Sequence, residues 1–209
     1  VSIEIDPTEP VYFRLRLRVP TWTGDQFVPG ALYHYVGDSN ERATVTVNGK
    51  PFQLQVVKGF TTIEREWKRG DRVVLSLPMP LRITQCHPSV EANVGRIAFT
   101  RGPFVMCAEG VDNDGATQRF FVDRLPNASK AKMYTTAIDS GSFIQASVGV
   151  KTLTSSGGTA RSKLELTPYY AWNNRGTSSM TVWFPRDKSM AVFDPHALPR
   201  ESIFTELSA

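Results

Sequence analysis

Apolar and polar residues alternate along most of this chain. In "VYFRLRLRVP" Phe13, Leu15, Leu17 and Val19 fall on one face, and Tyr12, Arg14, Arg16 and Arg18 fall on the other. That pattern predicts a half-buried antiparallel strand stopped at Pro20, with the arginines on its solvated side. "ATVTVNGKPFQLQVV" predicts a hairpin: Val45 and Val47 lead into Asn48-Gly49, a pair that tolerates positive φ, and Phe52, Leu54 and Val56 lead away while Gln53 and Gln55 face water. In "FTTIEREW" Ile63, Arg65 and Trp67 alternate with solvent-facing Glu64 and Glu66, and a turn at Lys68 to Asp71 follows. The strand in "GDRVVLSLPMP" sets Val73, Leu75 and Leu77 on one face. Pro78 has no N–H for a ladder and Pro80 keeps the exit extended, so one sheet is left there and a new unit begins.

The alternation continues in Ile97 to Thr100 and Phe104 to Cys107, broken at Gly102-Pro103, and then in "FFVDRL", "FIQASVGV", "KLELTPYYAW" and "SMTVWFP". "TSSGGTA" (Thr154 to Ala160) reads as an exposed hairpin loop. No long 3.6-residue period appears, so helix is expected only as short turns near Asp194 to Leu207. The predicted fold is all-β, with two tandem antiparallel β-sandwich domains of jelly-roll-like type. Residues 1–98 form the first and residues 99–209 the second, with a C-terminal tail; the boundary is expected at about residues 95–102.

Composition changes this picture little. A hydrophobic share of 41% and a charged share of 21% in 209 residues describe an ordinary globular protein. The net charge of +4 divides evenly: residues 1–100 hold 12 Lys+Arg against 10 Asp+Glu, and residues 101–209 repeat those counts. Without a basic patch, no nucleic-acid partner is expected. No stretch approaches the roughly 20 apolar residues of a membrane span, so no membrane partner is expected either. The chain opens on Val1 in the acidic "VSIEIDPTEP", with no signal-peptide core, as expected of a piece cut from a longer protein.

Candidate chemistry is sparse. Cys86 and Cys107 make no disulfide framework, and with His87 they lack the spacing of a metal site, so two reduced, partly buried thiols are expected. His34, His87 and His196 share no ligand spacing, and there is no GxSxG, HExxH or phosphate-cradling glycine loop. Asp112 and Asp114 in "GVDNDG" fall short of a calcium loop. The sequon Asn127-Ala128-Ser129 matters only in a glycosylating pathway. Trp22, Tyr33, Tyr35, Tyr169, Tyr170 and Trp172 are expected in loops or at strand ends, where aromatic faces and flanking amides such as Asn173 and Asn174 build sugar platforms. Packing at sandwich edges or against a partner domain is the favoured explanation for them, with Tyr169, Trp172 and Asn173 as the candidate substrate-binding residues.

The order of the segments is more specific than any one of them. "LRLRVPTW", "GDQFVPGALYHYVGDSN", "VTVNGKPF", "GFTTIEREWKRGDRVVLSLPMPLR", "VEANVGRIAFTRGPFVMCAEGVDN" and "TPYYAWNNRGTSSMTVWFP" together resemble the C-terminal part of glycoside hydrolase family 127, from about Val11 to Pro185. The resemblance implies β-L-arabinofuranosidase activity on plant-type arabinofuranosides for the whole protein. It also implies a large catalytic α/α barrel followed by two sandwiches, of which this chain is the sandwiches. In the family a glutamate and a zinc-associated cysteine of the barrel do the chemistry; Cys86 and Cys107 match neither, so no catalytic residue, metal or cofactor is expected in this chain. The implied role is non-catalytic support of the barrel or of a homodimer, with an autonomous carbohydrate-binding module as the alternative. Polysaccharide degradation would call for a periplasmic or secreted location.

Overall fold

A computed structural model of the chain describes residues 1–37, 39, 41–138 and 141–196. The first part contains β1 (Ser2–Ile5), β2 (Val11–Arg18), β3 (Tyr33–Val36), β4 (Thr44–Val47), β5 (Lys50–Phe52), β6 (Phe60–Trp67) and β7 (Asp71–Ser76). A four-stranded antiparallel sheet runs β1-β7-β4-β5 and faces the β2-β6 pair. Their inward positions are those the alternation predicts: Leu17, Val45, Val47, Ile63, Trp67, Val73 and Leu75 form the core. Trp67 is fully buried at its centre, with its ring 5.6 Å from Phe13 and its Nε1–H donated to the Phe13 carbonyl at 3.1 Å. Asn48 and Gly49 hold φ of 51° and 75°, the left-handed pair that a tight hairpin needs. The strand after that turn is shorter than expected: β5 ends at Phe52, Leu54 still packs on the core, and Val56 is exposed.

The second part contains β8 (Leu81–Cys86), β9 (Arg96–Arg101), β10 (Phe104–Glu109), β11 (Phe120–Phe121), β12 (Lys132–Ile138), β13 (Gly141–Leu153), β14 (Thr159–Pro168), β15 (Met180–Thr181) and β16 (Phe184–Pro185). These nine strands and β3 of the first part form one ten-stranded antiparallel sheet ordered β11-β13-β14-β10-β9-β8-β3, with β12 on β13, β15 on β10 and β16 on β9. Both arms contribute to a single core, in which Ile97, Phe99, Met106, Leu164, Leu166 and Phe184 have no exposed surface. Within the "TSSGGTA" stretch residues 154–158 make the β13–β14 hairpin loop, with Gly157 at φ 76°, while Thr159 and Ala160 already belong to β14 and pair with Leu153 and Thr152.

Four strands, β1, β3, β8 and β12, have no counterpart in the elements the pattern predicts. β3 carries Tyr33 and Tyr35, which the sequence places in loops or at strand ends: Tyr33 opens the strand and packs against Trp183 (5.9 Å), and Tyr35 lies within it under the Arg82 guanidinium, 3.6 Å from its ring centroid. β12 pairs along the first half of β13, with Tyr134 opposite Gln145. The changeover between sheets falls at Pro78-Met79-Pro80, where β7 of the first sheet gives way to β8 of the second. β8 and β9 are neighbours through Leu81↔Arg101 to Thr84↔Ala98, so residues 95–102 lie inside the second sheet. We therefore place the division at Pro78 to Pro80 rather than at residue 98. Among the described residues the only helical segments are short 3-10 turns, and none is long and apolar enough to cross a membrane. The turns expected after His196 lie outside the described residues.

Candidate functional site

The loop after β14 gathers the residues singled out above. Pro168 ends the strand, and Tyr169–Ala171 form one 3-10 turn with Ala171 buried beneath it. Trp172 continues in extended conformation and its N–H returns to the Tyr169 carbonyl at 3.2 Å. This sets the two rings face to face, centroids 6.0 Å apart and planes 24° apart, with Tyr169 48% and Trp172 38% exposed. Asn173 then adopts φ 65°, a conformation that asparagine accepts more readily than bulkier residues. Tyr169, Trp172 and Asn173 thus lie within one turn, and Tyr170 projects separately, its ring 5.1 Å from Phe104.

What holds this loop is a buried ionic cluster that the sequence did not reveal. Arg175 Nη2 donates to Glu109 Oε2 at 2.5 Å and to Asp112 Oδ2 at 2.6 Å, and Nη1 donates to Asp112 Oδ1 at 2.8 Å. Glu109 has no exposed surface, and its other oxygen accepts the backbone N–H of Asn173 at 3.0 Å. Asp112 also accepts from Gln145 Nε2 at 2.9 Å, which in turn reaches Thr167 Oγ1. Beside them the Asn113 amide bonds both the N–H and the carbonyl of Glu165, so that a side chain completes the edge of β14. Tyr134 donates to Glu165 at 2.6 Å. Burial, with that hydrogen bond and the Glu165 charge, pushes the phenol of Tyr134 well above its ordinary value.

The electrostatics favour a static clamp. Burial works against the Arg175 charge, but hydrogen bonds and attraction from Asp112 and Glu109 outweigh it and raise its pKa. Asp112 and Asp114, considered together as calcium ligands, are separated by their partners: Asp112 serves Arg175 and Asp114 pairs with Arg119 at 3.0 Å. Neither cysteine stands in a group of metal donors among the described residues. Cys107 is fully buried, and burial, reinforced by the Glu109 charge, pushes its thiol up to about 12. Cys86 donates its thiol to the Val90 carbonyl at 3.8 Å. Among the described residues no three His, Cys, Asp or Glu side chains stand together as a metal group. His34, His87 and His196 lie exposed on separate segments.

The chain matches two family descriptions in succession: "Beta-L-arabinofuranosidase, GH127 middle domain" over residues 1–79 and "Glycoside hydrolase family 127 C-terminal domain" over residues 81–185. The non-reducing end beta-L-arabinofuranosidase of Bifidobacterium longum subsp. longum is 25% identical across 81% of this chain and 25% of its own length. The solved structure of a family 127 beta-arabinofuranosidase superposes with a TM-score of 0.81 at 32% identity, covering 91% of this chain and 30% of that one. A family 127 beta-L-arabinofuranosidase of Geobacillus stearothermophilus gives 0.73 at 29% identity, covering 88% and 28%. The chain therefore spans between a quarter and a third of the length of these relatives.

Proposed function

Because the chain belongs to glycoside hydrolase family 127, we propose that it is the non-catalytic two-sandwich part of a β-L-arabinofuranosidase-type enzyme acting on plant-type arabinofuranosides. Its role is to support a catalytic α/α barrel by covering apolar surface of that barrel. The observation that carries this reading is the use made of the buried acids. Glu109 and Asp112 are both bound to Arg175, and Glu109 also binds the Asn173 N–H, so they hold a loop in place rather than face a scissile bond. A general acid or base needs a free proton site within reach of substrate, and this pair offers none. The loop so held presents Tyr169 and Trp172 outward, a surface suited to packing on a partner. Turnover of an aryl β-L-arabinofuranoside tests the proposal: no hydrolysis is expected from this chain alone, and higher activity and melting temperature are expected of a barrel when the chain is joined to it. Hydrolysis by the isolated chain overturns it.

A second reading is favoured by the stacked, half-exposed Tyr169 and Trp172 beside Asn173: a carbohydrate-binding face that works independently of the barrel. It predicts saturable amide shifts around 169–174 with β-L-arabinofuranosyl oligosaccharides, abolished by Trp172→Ala. Binding that survives this substitution removes the assignment. Covering of the same face by a second copy would appear as a concentration-dependent dimer in sedimentation, lost in the same variant.

A further inference from the structure

A cleft of about 360 Å³ lies between the β9–β10 hairpin, the β12–β13 hairpin and the turn after β14. Strand register explains why it exists. Met106 pairs with Pro168, Arg101 with Phe104, and Thr135 with Ile144, which continues the sheet face whose deeper positions, Phe99, Ala146 and Leu166, are the packed core. At this end of the sandwich no further layer of the described residues fills the face, and the core opens outward into the cleft. The cleft floor is apolar, with Met106 and Pro168 buried, and its rim carries the Phe104 and Tyr170 rings. Thr135, Ser142 and Arg101 add two hydroxyls and one guanidinium. Gly102 fixes the hairpin that carries Arg101 and Phe104: its φ is 57°, and a Cβ there would meet the Met79 side chain at 2.6 Å.

Arg101 is the anomaly. It is half-buried, yet among the described residues no hydrogen bond, ion pair or ring contact engages its guanidinium. The partly buried Arg119 and Arg175, by contrast, are ion-paired. A guanidinium held partly out of water gains most from a planar carboxylate, which it meets with two parallel hydrogen bonds. Aromatic rims and hydroxyls suit the C–H faces and hydroxyls of a sugar ring, and the volume falls at the small end of ligand sites. A neutral sugar would leave the charge unmatched.

We propose that this cleft binds a uronate, a sugar unit bearing a carboxylate, with the carboxylate on Arg101 and the ring against Tyr170 and Phe104. The inference rests on the reading of the chain as part of a glycan-acting enzyme, but it concerns a different surface from the Tyr169–Trp172 face.

The test is a 1H–15N NMR titration of the full chain with methyl α-D-galacturonide, its neutral twin methyl α-D-galactoside, and sodium acetate. Saturable shifts confined to residues 101–106, 135–138, 141–144 and 168–170 are expected with the uronate alone. Affinity should fall by about tenfold or more in Arg101→Gln, as loss of a charge-assisted pair implies, and also fall in Tyr170→Ala, an exposed position where folding is not at stake. Equal binding of the galactoside, equal binding of acetate, retention in Arg101→Gln, or no saturation at millimolar uronate each overturns the proposal. None of these outcomes bears on turnover, so the accessory reading stands or falls separately.

Discussion

Arg175 and Glu109 stand 66 positions apart in sequence, yet their charged atoms meet at 2.5 Å, and Glu109 passes the restraint on to the backbone of Asn173. One arginine thereby neutralises a fully buried carboxylate and orients the turn that carries Tyr169 and Trp172. The second carboxylate, Asp112, keeps the guanidinium in its plane by a two-point contact.

Arg175→Gln should be costly, because it leaves Glu109 and Asp112 buried without a counter-ion. Loss of one partner from such a group costs about 3–5 kcal/mol. Thermal unfolding should therefore begin about 6–20 °C lower. Arg175→Lys should fall between, since an ammonium keeps the charge but lacks the planar fork. A change below about 1 kcal/mol in urea denaturation would show the pair to be a surface-type contact.

Gly102→Ala is expected to destabilise by about 1–3 kcal/mol, from positive φ and from contact with Met79. The two causes separate in a double-mutant cycle. Adding Met79→Ala should recover the steric part and leave the backbone part, so the two changes are non-additive. Strict additivity in chemical denaturation would mean that Met79 is not the obstacle.

The Cys107 thiol, raised to about 12 by burial and by Glu109, gives a stability change at alkaline pH. Its folded pKa exceeds the ordinary value near 9.0, so below that value both states hold the proton and stability is complete. Between roughly pH 9 and pH 12 the unfolded thiol ionises and the folded one does not, and stability falls by at most about 1.4 kcal/mol per pH unit. The slope of unfolding free energy against pH in this window should be shallower in Cys107→Ala than in the parent. Identical slopes would place the titration elsewhere.

The same burial predicts selective alkylation. At pH 8 iodoacetamide should modify Cys86, which is partly exposed, and spare Cys107 until denaturant is added. Mass spectrometry of the tryptic peptides reads the outcome; native-state labelling of Cys107 would show that the core around β10 opens readily.

Local physics accounts for what could be read along the chain. Alternation in 11–19, 44–47 and 71–77 sets which side chains are buried because a strand has a period of two, and Asn48-Gly49 makes its turn wherever it is placed, by its own tolerance of positive φ. The proline stop at 78–80 acts through a missing N–H, and the ordered set of motifs was enough to recognise the family. Alternation does not mark β3 and β12, because their residues are half-exposed or exposed and their identity as strands comes from the neighbours they pair with, Cys86 to Ile83 and Ser147 to Gly141. Tyr169, Trp172 and Asn173 were visible as a cluster, but not what orients them. Along the chain Glu109 and Arg175 look like ordinary surface charges, and Asp112 stands out only beside Asp114. Only the closing of β10, β13 and β14 into one sheet brings them within hydrogen-bond reach and excludes the water that would otherwise screen them. The same closure leaves Arg101 facing a cleft without a partner among the described residues, since an ion pair, or its absence, is decided by distances that no local pattern contains.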